Sequence, residues 1–428
     1  MGKHLDHNDY AIQYASLHRD DTIFAHGRFY RYGTGVWEPI HDFEISREVK
    51  EVLVRTDAVI TSYLMASVIS LIKVELYQSD EIINAKPNLI NLQNGMYDIE
   101  SGNLLTHLPG YYSTAQLPFS FDPTATCPVW EHYLETSLIK DPRETGIKNF
   151  VPDPELIGFV QEAVGYSLTN DIRHHVTFWC LGRGRNGKGV LFDTLEKLAG
   201  TGATTINLNL LHREQYQLAN LVGKRIALCT EANSTDNLVE DATIKALIAG
   251  DTMSVRMIRR EPFDLKPRLK LWWSMNKLPA VADTSIGFWS RIRIIPFHRS
   301  FSTKERDLDL KEKLIDEYSG IFNWAMRGLE RLRMRGSFEI PSQVERFTDN
   351  YQRESNPVQM FVEDACTVSP SAGSTSSGFL YLEYKNWSFD NGYKPLSSKN
   401  FKRELELLGI YLIHTRNGNH YEGITVKP

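Results

Sequence analysis

The run from Val176 to Gly200, VTFWCLGRGRNGKGVLFDTLEKLAG, constrains this chain more than any other stretch. A short apolar segment, long enough for one buried strand, passes into a glycine-rich loop. An amphipathic helix then begins near Lys188 and is stopped by Gly200. The loop carries G-x-x-x-x-G-K from Gly182 to Lys188. The bare string is a weak signal; the strand before it and the helix after it give it force. In that setting the backbone N–H groups around Gly184 to Gly189 cradle phosphates at a helix N-terminus, with Lys188 on the outer oxygens. The expected phosphate-binding set is therefore Gly182, Gly184, Arg185, Asn186, Gly187, Lys188, Gly189 and Val190. One position departs from the pattern. Gly189 stands where such loops carry a serine or threonine whose hydroxyl holds Mg2+. A metal here would lean on phosphates, water and a carboxylate from elsewhere.

Two more apolar segments, RIALCT (225–230) and LKLWWSM (269–275), read as central strands, and helices alternate with them. This predicts an α/β core around a parallel sheet. Glu231 follows the first strand and suits a metal-linked acid or the base that orients water. Alone, a strand-end glutamate is often just solvated, and Thr230 takes the place where many such sites carry a second carboxylate. Asn276 ends the second strand, where a polar side chain can meet a terminal phosphate; the plain alternative is an Asn-Lys turn before Pro279. In GFWSRIRIIPF, Arg291 and Arg293 precede or enter an apolar strand two residues apart and so point the same way. Either suits a salt bridge at the core edge, or a guanidinium projecting into a neighbour's site.

The chain has 428 residues, 42% of them hydrophobic, enough for two to four domains at about 100–200 residues each. Its 48 lysines and arginines face 53 acidic residues, a net charge of -5, so nucleic-acid contact needs a local basic surface or a narrow channel. Four dispersed cysteines form no C-x-x-C pair, which argues against a zinc ribbon or a disulfide framework. No apolar run reaches membrane-spanning length and the N-terminus lacks a signal-peptide core, so a soluble, cytoplasmic protein is expected. Residues 22–32 predict a hairpin about His26-Gly27, residues 88–105 a hairpin about Asn94-Gly95, and residues 45–80 helix. The polar, proline-bearing segment 141–154 reads as a linker, 303–354 as charged helix, and SPSAGSTSSG (369–378) as loop. Beyond it the order is helix, helix, then a hairpin about Asn417-Gly418, which suits a winged helix-turn-helix unit.

The order GRGRNGKG, RIALCTEAN, IKALIAGDTMSVRMIRREPFDLKPRLKLWWSMNKLP and FWSRIRIIPF resembles the phage/plasmid primase–helicase family. This family lies within the superfamily 3, AAA+ ring helicases, and the chain is similar to the C-terminal region of the poxvirus-type members. The likeness extends back through PNLINLQNGMYDIESGNLL to CPVWEHYL and forward into the C-terminal unit. It implies an AAA+ P-loop core at 155–300, after a mixed α+β N-terminal domain (1–140) and the linker. A helical region (301–368) and a winged-helix unit (369–428) follow. It further implies ATP with Mg2+, catalytic roles for Lys188, Glu231 (also the metal ligand), Asn276 and Arg291, and a homo-hexamer moving on single-stranded DNA at replication forks.

By the same resemblance the segment 253–267 is a pore hairpin presenting Arg256, Arg259 and Arg260 to DNA. In the C-terminal unit Lys399, Lys402 and Arg403 share a helix face that could meet a DNA backbone, with Ser397 or Ser398 capping the helix. A primase or polymerase is an expected partner, and a bacterial host's cytoplasm the expected place if a phage or plasmid encodes the chain. Residues 1–120 show neither a zinc site nor a strand-borne aspartate pair, so priming by this chain is not expected. The rival reading is a DNA-binding initiator or loader with a degenerate nucleotide site, favoured by Gly189 and Thr230. A GTPase is disfavoured because NKLP has Pro279 where guanine recognition needs an aspartate.

Overall fold

The structure is a computed structural model that describes residues 6–56, 58–146, 150–208, 215–230, 241–257, 260–279, 281, 285–416 and 418–427. The chain divides into two compact units, one of residues 1–279 and 290–345, the other of 280–289 and 346–428.

The first unit begins with the helix His7–His18, capped by Asp6, and the strands β1 (Thr22–Ala25), β2 (Arg28–Gly33) and β3 (Val36–Pro39). Ala25 pairs with Arg28, so His26-Gly27 is the tight turn the sequence predicts; both residues have positive φ, 47° and 67°. The helices Asp42–Val54 and Ser62–Glu75 lie within the expected helical stretch. Arg31 on β2 grips Glu48 with two bonds of 2.6 and 2.8 Å, and the Tyr14 hydroxyl donates to the same carboxylate at 2.6 Å. One carboxylate thus ties the sheet to two helices, and the Arg31 guanidinium holds its pKa below the usual value.

The second hairpin joins β4 (Leu89–Leu92) to β5 (Gly95–Asp98), with β6 (Asn103–Leu105) alongside. Its turn differs from the sequence expectation by one residue. Leu92 pairs with Gly95, so the loop residues are Gln93 and Asn94. Gly95 is needed within the strand because a Cβ there would lie 2.6 Å from the Leu104 side chain and the Leu105 carbonyl. Asn94 does other work: its amide donates to the Phe121 carbonyl at 3.0 Å and accepts from the Phe121 N–H at 2.8 Å.

The central sheet is parallel and five-stranded, in the order β13 (Ile292–Pro296), β7 (Thr177–Leu181), β12 (Lys270–Met275), β9 (Ile226–Thr230), β8 (Ala203–Thr205). This is the α/β core the alternation predicts. Buried residues from Ile90 to Val344 share one hydrophobic core, including Leu117, Trp130 and Leu134 before segment 141–154 and Leu156 and Phe159 after it. Within that segment Pro142–Thr145 is helical, and Ile139 bridges to Pro152.

The helices Pro154–Ser167 and Tyr318–Arg335 pack through glycines. A Cβ on Gly165 would fall on the Ala325 carbonyl, and one on Gly328 would lie 2.6 Å from the Gln161 carbonyl. At the C-terminal end of the first helix two buried cations accept the work of capping. Lys270 Nζ donates to the Thr169 carbonyl at 2.6 Å over the Tyr166 ring, and Arg225 reaches the Leu168 carbonyl and Asn170. The helix dipole places negative potential there, which suits a cation, and the Asp171 carboxylate adds to it for Lys270. Burial still lowers the pKa of Lys270 well below its usual value.

Trp272 and Trp273 fill opposite faces of β12. Trp272 is 0% exposed, packs on Phe178 at 4.5 Å between ring centres and donates to the Ser167 hydroxyl at 2.9 Å. Trp272→Ala is expected to cost about 3–5 kcal/mol, the usual range for deleting a buried aromatic. Chemical denaturation of purified protein measures it; a midpoint within error of wild type would contradict the packing described.

In the second unit the helices Pro357–Ala365, Ser377–Asp390 and Ser398–Leu407 enclose Phe361, Leu380, Tyr384, Phe401 and Leu405. Tyr384 and Phe401 stack at 4.5 Å. β16 (Leu412–Thr415) and β17 (Gly418–Glu422) form the last hairpin, with Thr415 paired to Gly418. Asn417 lies outside the described residues. The segment expected as loop, 369–378, is partly ordered: β15 (Ser374–Ser376) pairs with β17, and Thr375 Oγ1 donates to the Ile424 carbonyl at 2.6 Å. A serine-rich edge strand held by backbone pairing has no apolar alternation to announce it. β14 (Cys366–Val368) likewise pairs with β18 (Ile424–Val426).

Candidate functional site

In parallel strands the C-terminal ends gather at one edge, and connecting loops there form sites. Leu181, Met275 and Thr230 end three adjacent strands, with Leu181 level with Met275 and Ser274 level with Thr230. The next residues are Gly182, Asn276 and Glu231. The first two are described; Glu231 lies outside the described residues, so its side chain cannot be placed among them.

Gly182 donates its N–H to the Met275 carbonyl at 3.2 Å, tying the loop to the strand that carries Asn276. A Cβ on Gly182 would fall on Asn186 Nδ2 and 2.6 Å from the Phe297 carbonyl, so close packing requires glycine. Arg185 takes a left-handed backbone (φ 66°), which costs a non-glycine residue about 1 kcal/mol. The Phe301 N–H, bonded to its carbonyl at 2.8 Å, helps hold it. Gly187 begins the helix Lys188–Ala199 with φ 93°, and a Cβ there would lie 2.7 Å from the Ser137 hydroxyl.

Lys188 is nearly buried. Its ammonium donates to the Gly182 carbonyl and, at 3.2 Å, to the Asn276 side-chain oxygen. A lysine at the start of the helix and an asparagine at a strand end therefore meet over the loop. The N–H groups of Arg183, Gly184, Arg185, Asn186, Gly187 and Gly189 donate to nothing among the described residues. Asn186 is 3% exposed, and its Nδ2 also has no partner there. Most of these N–H groups lie on exposed residues, open to an incoming acceptor, whereas the buried Asn186 amide is costly to leave unpaired. Such a loop fits the oxygens of a phosphate chain.

Gly189 is exposed, and a side chain placed there would meet nothing within 4 Å. The missing hydroxyl is not excluded by space. Val190 lies on the first turn of the same helix.

The site has residues the sequence did not single out. Tyr133, on the helix Pro128–Ser137, donates its hydroxyl to the Gly187 carbonyl at 3.0 Å; burial pushes its pKa up, so it stays a neutral donor. Arg299 lies between the Phe150 and Phe301 rings and donates to the Thr136 carbonyl at 3.1 Å. Nothing in their local spacing marks these residues, which reach the loop across long stretches of chain. The cysteines, all free and buried, are inert; burial pushes Cys229 to about 11.

Arg291 lies elsewhere. Its carbonyl accepts from the Thr177 N–H at 2.8 Å, at the start of β7, whereas the loop begins where β7 ends. The two ends of such a strand are roughly 13 Å apart. Arg293 is half-buried in β13, bonded to the Ile292 carbonyl at 2.7 Å.

β10 (Met253–Val255) and β11 (Phe263–Leu265) pair as the expected antiparallel hairpin. Arg260 bonds the Gly27 carbonyl and the Asp42 carboxylate at 2.8 Å, so it is held by the N-terminal region. Arg256 is exposed and bonds the Arg260 carbonyl at 3.2 Å; Arg259 lies outside the described residues. On the helix Ser398–Leu407, capped by Ser397, Lys402 pairs with Glu406 at 3.7 Å and Arg403 with Glu404 at 3.4 Å. Lys399 has no ion pair among the described residues.

Three family models match successive parts of the chain: D5 N terminal like at residues 13–138, a family of unknown function at 180–291, and Poxvirus D5 protein-like at 353–408. A provisionally named helicase of Acanthamoeba polyphaga mimivirus is 24% identical over 334 residues, 71% of this chain. The D5 N terminal like and Poxvirus D5 protein-like models, with this relative, make the chain similar to poxvirus-type primase-helicases. A second relative, a provisionally named helicase of Invertebrate iridescent virus 3, is 23% identical over 374 residues, 78% of this chain. The chain spans 33% and 39% of the lengths of these two relatives. Among solved structures, the C-terminal region of NrS-1 is similar in fold, with TM-score 0.51 and 11% identity, covering 99% of this chain and 100% of that one. A second crystal form aligns at TM-score 0.50 and 13% identity, over 99% and 100% of the two chains. Among the described residues no helix is long and apolar enough to cross a membrane.

Proposed function

We propose that this chain is the nucleotide-hydrolysing, single-strand-translocating part of a replicative DNA helicase, an AAA+ ring of six copies using ATP and Mg2+. The observation that carries it is the meeting of the Lys188 ammonium and the Asn276 amide over a loop whose N–H donors are unused among the described residues.

The loop amides and Lys188 hold the β- and γ-phosphates, and the exchange of the Gly182 carbonyl for phosphate oxygens frees the ammonium to follow them. Asn276 orients the terminal phosphate or the attacking water. Glu231, one residue beyond Thr230, takes the acid or base role. Mg2+, when bound, neutralises charge on the phosphates. Gly189 offers it no oxygen, and no three His, Cys, Asp or Glu side chains gather as an ion site among the described residues. Arg291, at the opposite end of the strands from its own loop, acts on a neighbour's loop in the ring. DNA contact is assigned to Arg256 and Arg259 on the hairpin, and to Arg260 if closure of the ring releases it from Asp42. The C-terminal unit, with its helix, helix, hairpin order, acts as a winged helix whose Lys399, Lys402 and Arg403 add phosphate contacts. The helicase names of the viral relatives agree with this reading.

Phosphate release with and without single-stranded DNA tests it. Stimulated turnover is expected; tight DNA binding with no phosphate release would instead establish the initiator reading, which Gly189 and the exposed Thr230 favour. A second result concerns the metal. Gly189→Ser puts a hydroxyl into open space on the helix's first turn. It is expected to lower the Mg2+ concentration for half-maximal turnover about tenfold, the equivalent of 1.4 kcal/mol. An unchanged metal titration would show that this position does not face the ion.

A further inference from the structure

A cleft of about 620 Å³ opens beside the loop, between the helix Pro128–Ser137 and the segment 299–311. Its size is that of a small-molecule site. One wall is the loop itself, at Arg185, Gly187 and Val190. A ligand whose phosphates sit on the helix N-terminus would therefore run its other end into this space. Val129, Tyr133, Val190, Phe301, Leu308 and Leu310 make the lining largely apolar, as a flat ring system requires.

The charged groups around it are mostly committed. Arg299 is bonded to Glu305 at 2.9 Å, and Glu305 also accepts from the Ser302 N–H at 2.9 Å. Asp307 is paired with Lys313 at 2.6 Å, and Lys311 with Asp193 at 3.0 Å. Arg306 differs. It lines the cleft, yet its Nε and Nη2 are buried with no hydrogen-bond partner, and it has no ion pair among the described residues. A guanidinium with its neighbouring carboxylates already taken is an uncompensated positive charge beside a phosphate-binding loop. An anion supplied by a ligand would satisfy it.

Resting on the nucleotide reading of the loop, we infer that this cleft takes the nucleoside end of a nucleoside di- or triphosphate. Arg306 meets the phosphate nearest the sugar, and Leu308 forms part of the wall along the base. Arg306 thus supplies, from this same chain, positive charge on the inner part of the phosphate chain.

Equilibrium titration with a fluorescent ADP, and its displacement by inorganic tripolyphosphate, tests this on the full chain. Arg306→Gln is expected to weaken both ligands by about tenfold, the loss of one charge-assisted contact, and Arg306→Lys to recover part of it. Leu308 is 86% exposed, so Leu308→Ala leaves the fold intact. It is expected to weaken ADP about threefold through lost apolar contact while leaving tripolyphosphate unchanged. If Arg306→Gln and Leu308→Ala both bind like wild type while Lys188→Ala loses both ligands, the cleft inference is overturned and the loop reading stands. If Lys188→Ala itself binds both ligands normally, the loop reading falls and the inference with it.

Discussion

Lys188→Ala is expected to reduce nucleotide hydrolysis on the order of 10²–10³-fold, the cost of removing one preorganised charge aimed at developing negative charge. The ammonium donates to the Gly182 carbonyl and to the Asn276 side-chain oxygen at 3.2 Å, the two groups that hold it over the loop. Nucleotide affinity should fall as well if the lysine holds phosphate in the ground state. Phosphate release at saturating nucleotide, together with a binding titration, separates these effects. Turnover near wild type would reject the site.

Arg291→Ala carries the second large expectation. An arginine supplied to a neighbouring site is worth about 10³-fold or more in turnover, with little change in nucleotide binding. Its place at the start of β13, beside Thr177 rather than Gly182, rules out direct service to its own loop. Mixing provides the sharper measurement. Lys188→Ala supplies an intact arginine to its neighbour, and Arg291→Ala supplies an intact loop. An equimolar mixture of the two inactive proteins should regain measurable turnover if both act in a shared ring. If Arg291→Ala hydrolyses nucleotide at the wild-type rate, or the mixture stays as inactive as its parts, the in-trans role is wrong.

Much of the frame was legible because it rests on local rules. The apolar run before Gly182 and the amphipathic run after Lys188 are a strand and a helix, and Gly200 ends that helix with φ 53°. His26-Gly27 marked a hairpin by its backbone freedom, and Ser397 caps its helix through the Asn400 N–H at 3.3 Å. The misses follow from the same cause. The Asn94-Gly95 turn slipped by one because Gly95 answers to Leu104 and Leu105, packed from the next strand. Ser374–Ser376 became an edge strand because β17 offered it a partner. Neither influence is written in the residues themselves.

The same division holds at the site. Sequence by itself determined the strand, loop and helix around Lys188, the glycines that its turns require and the lack of a hydroxyl at position 189. Backbone conformation and short-range spacing decide such features. Tertiary structure alone decided that Lys188 and Asn276 meet 88 positions apart in the chain. It also brought Tyr133 onto Gly187, left Arg306 beside the cleft with no ion pair among the described residues, and tied Arg260 to Asp42. Those arrangements come from the order of strands in the sheet and from packing across it, and no local pattern encodes which distant side chains a fold will bring together.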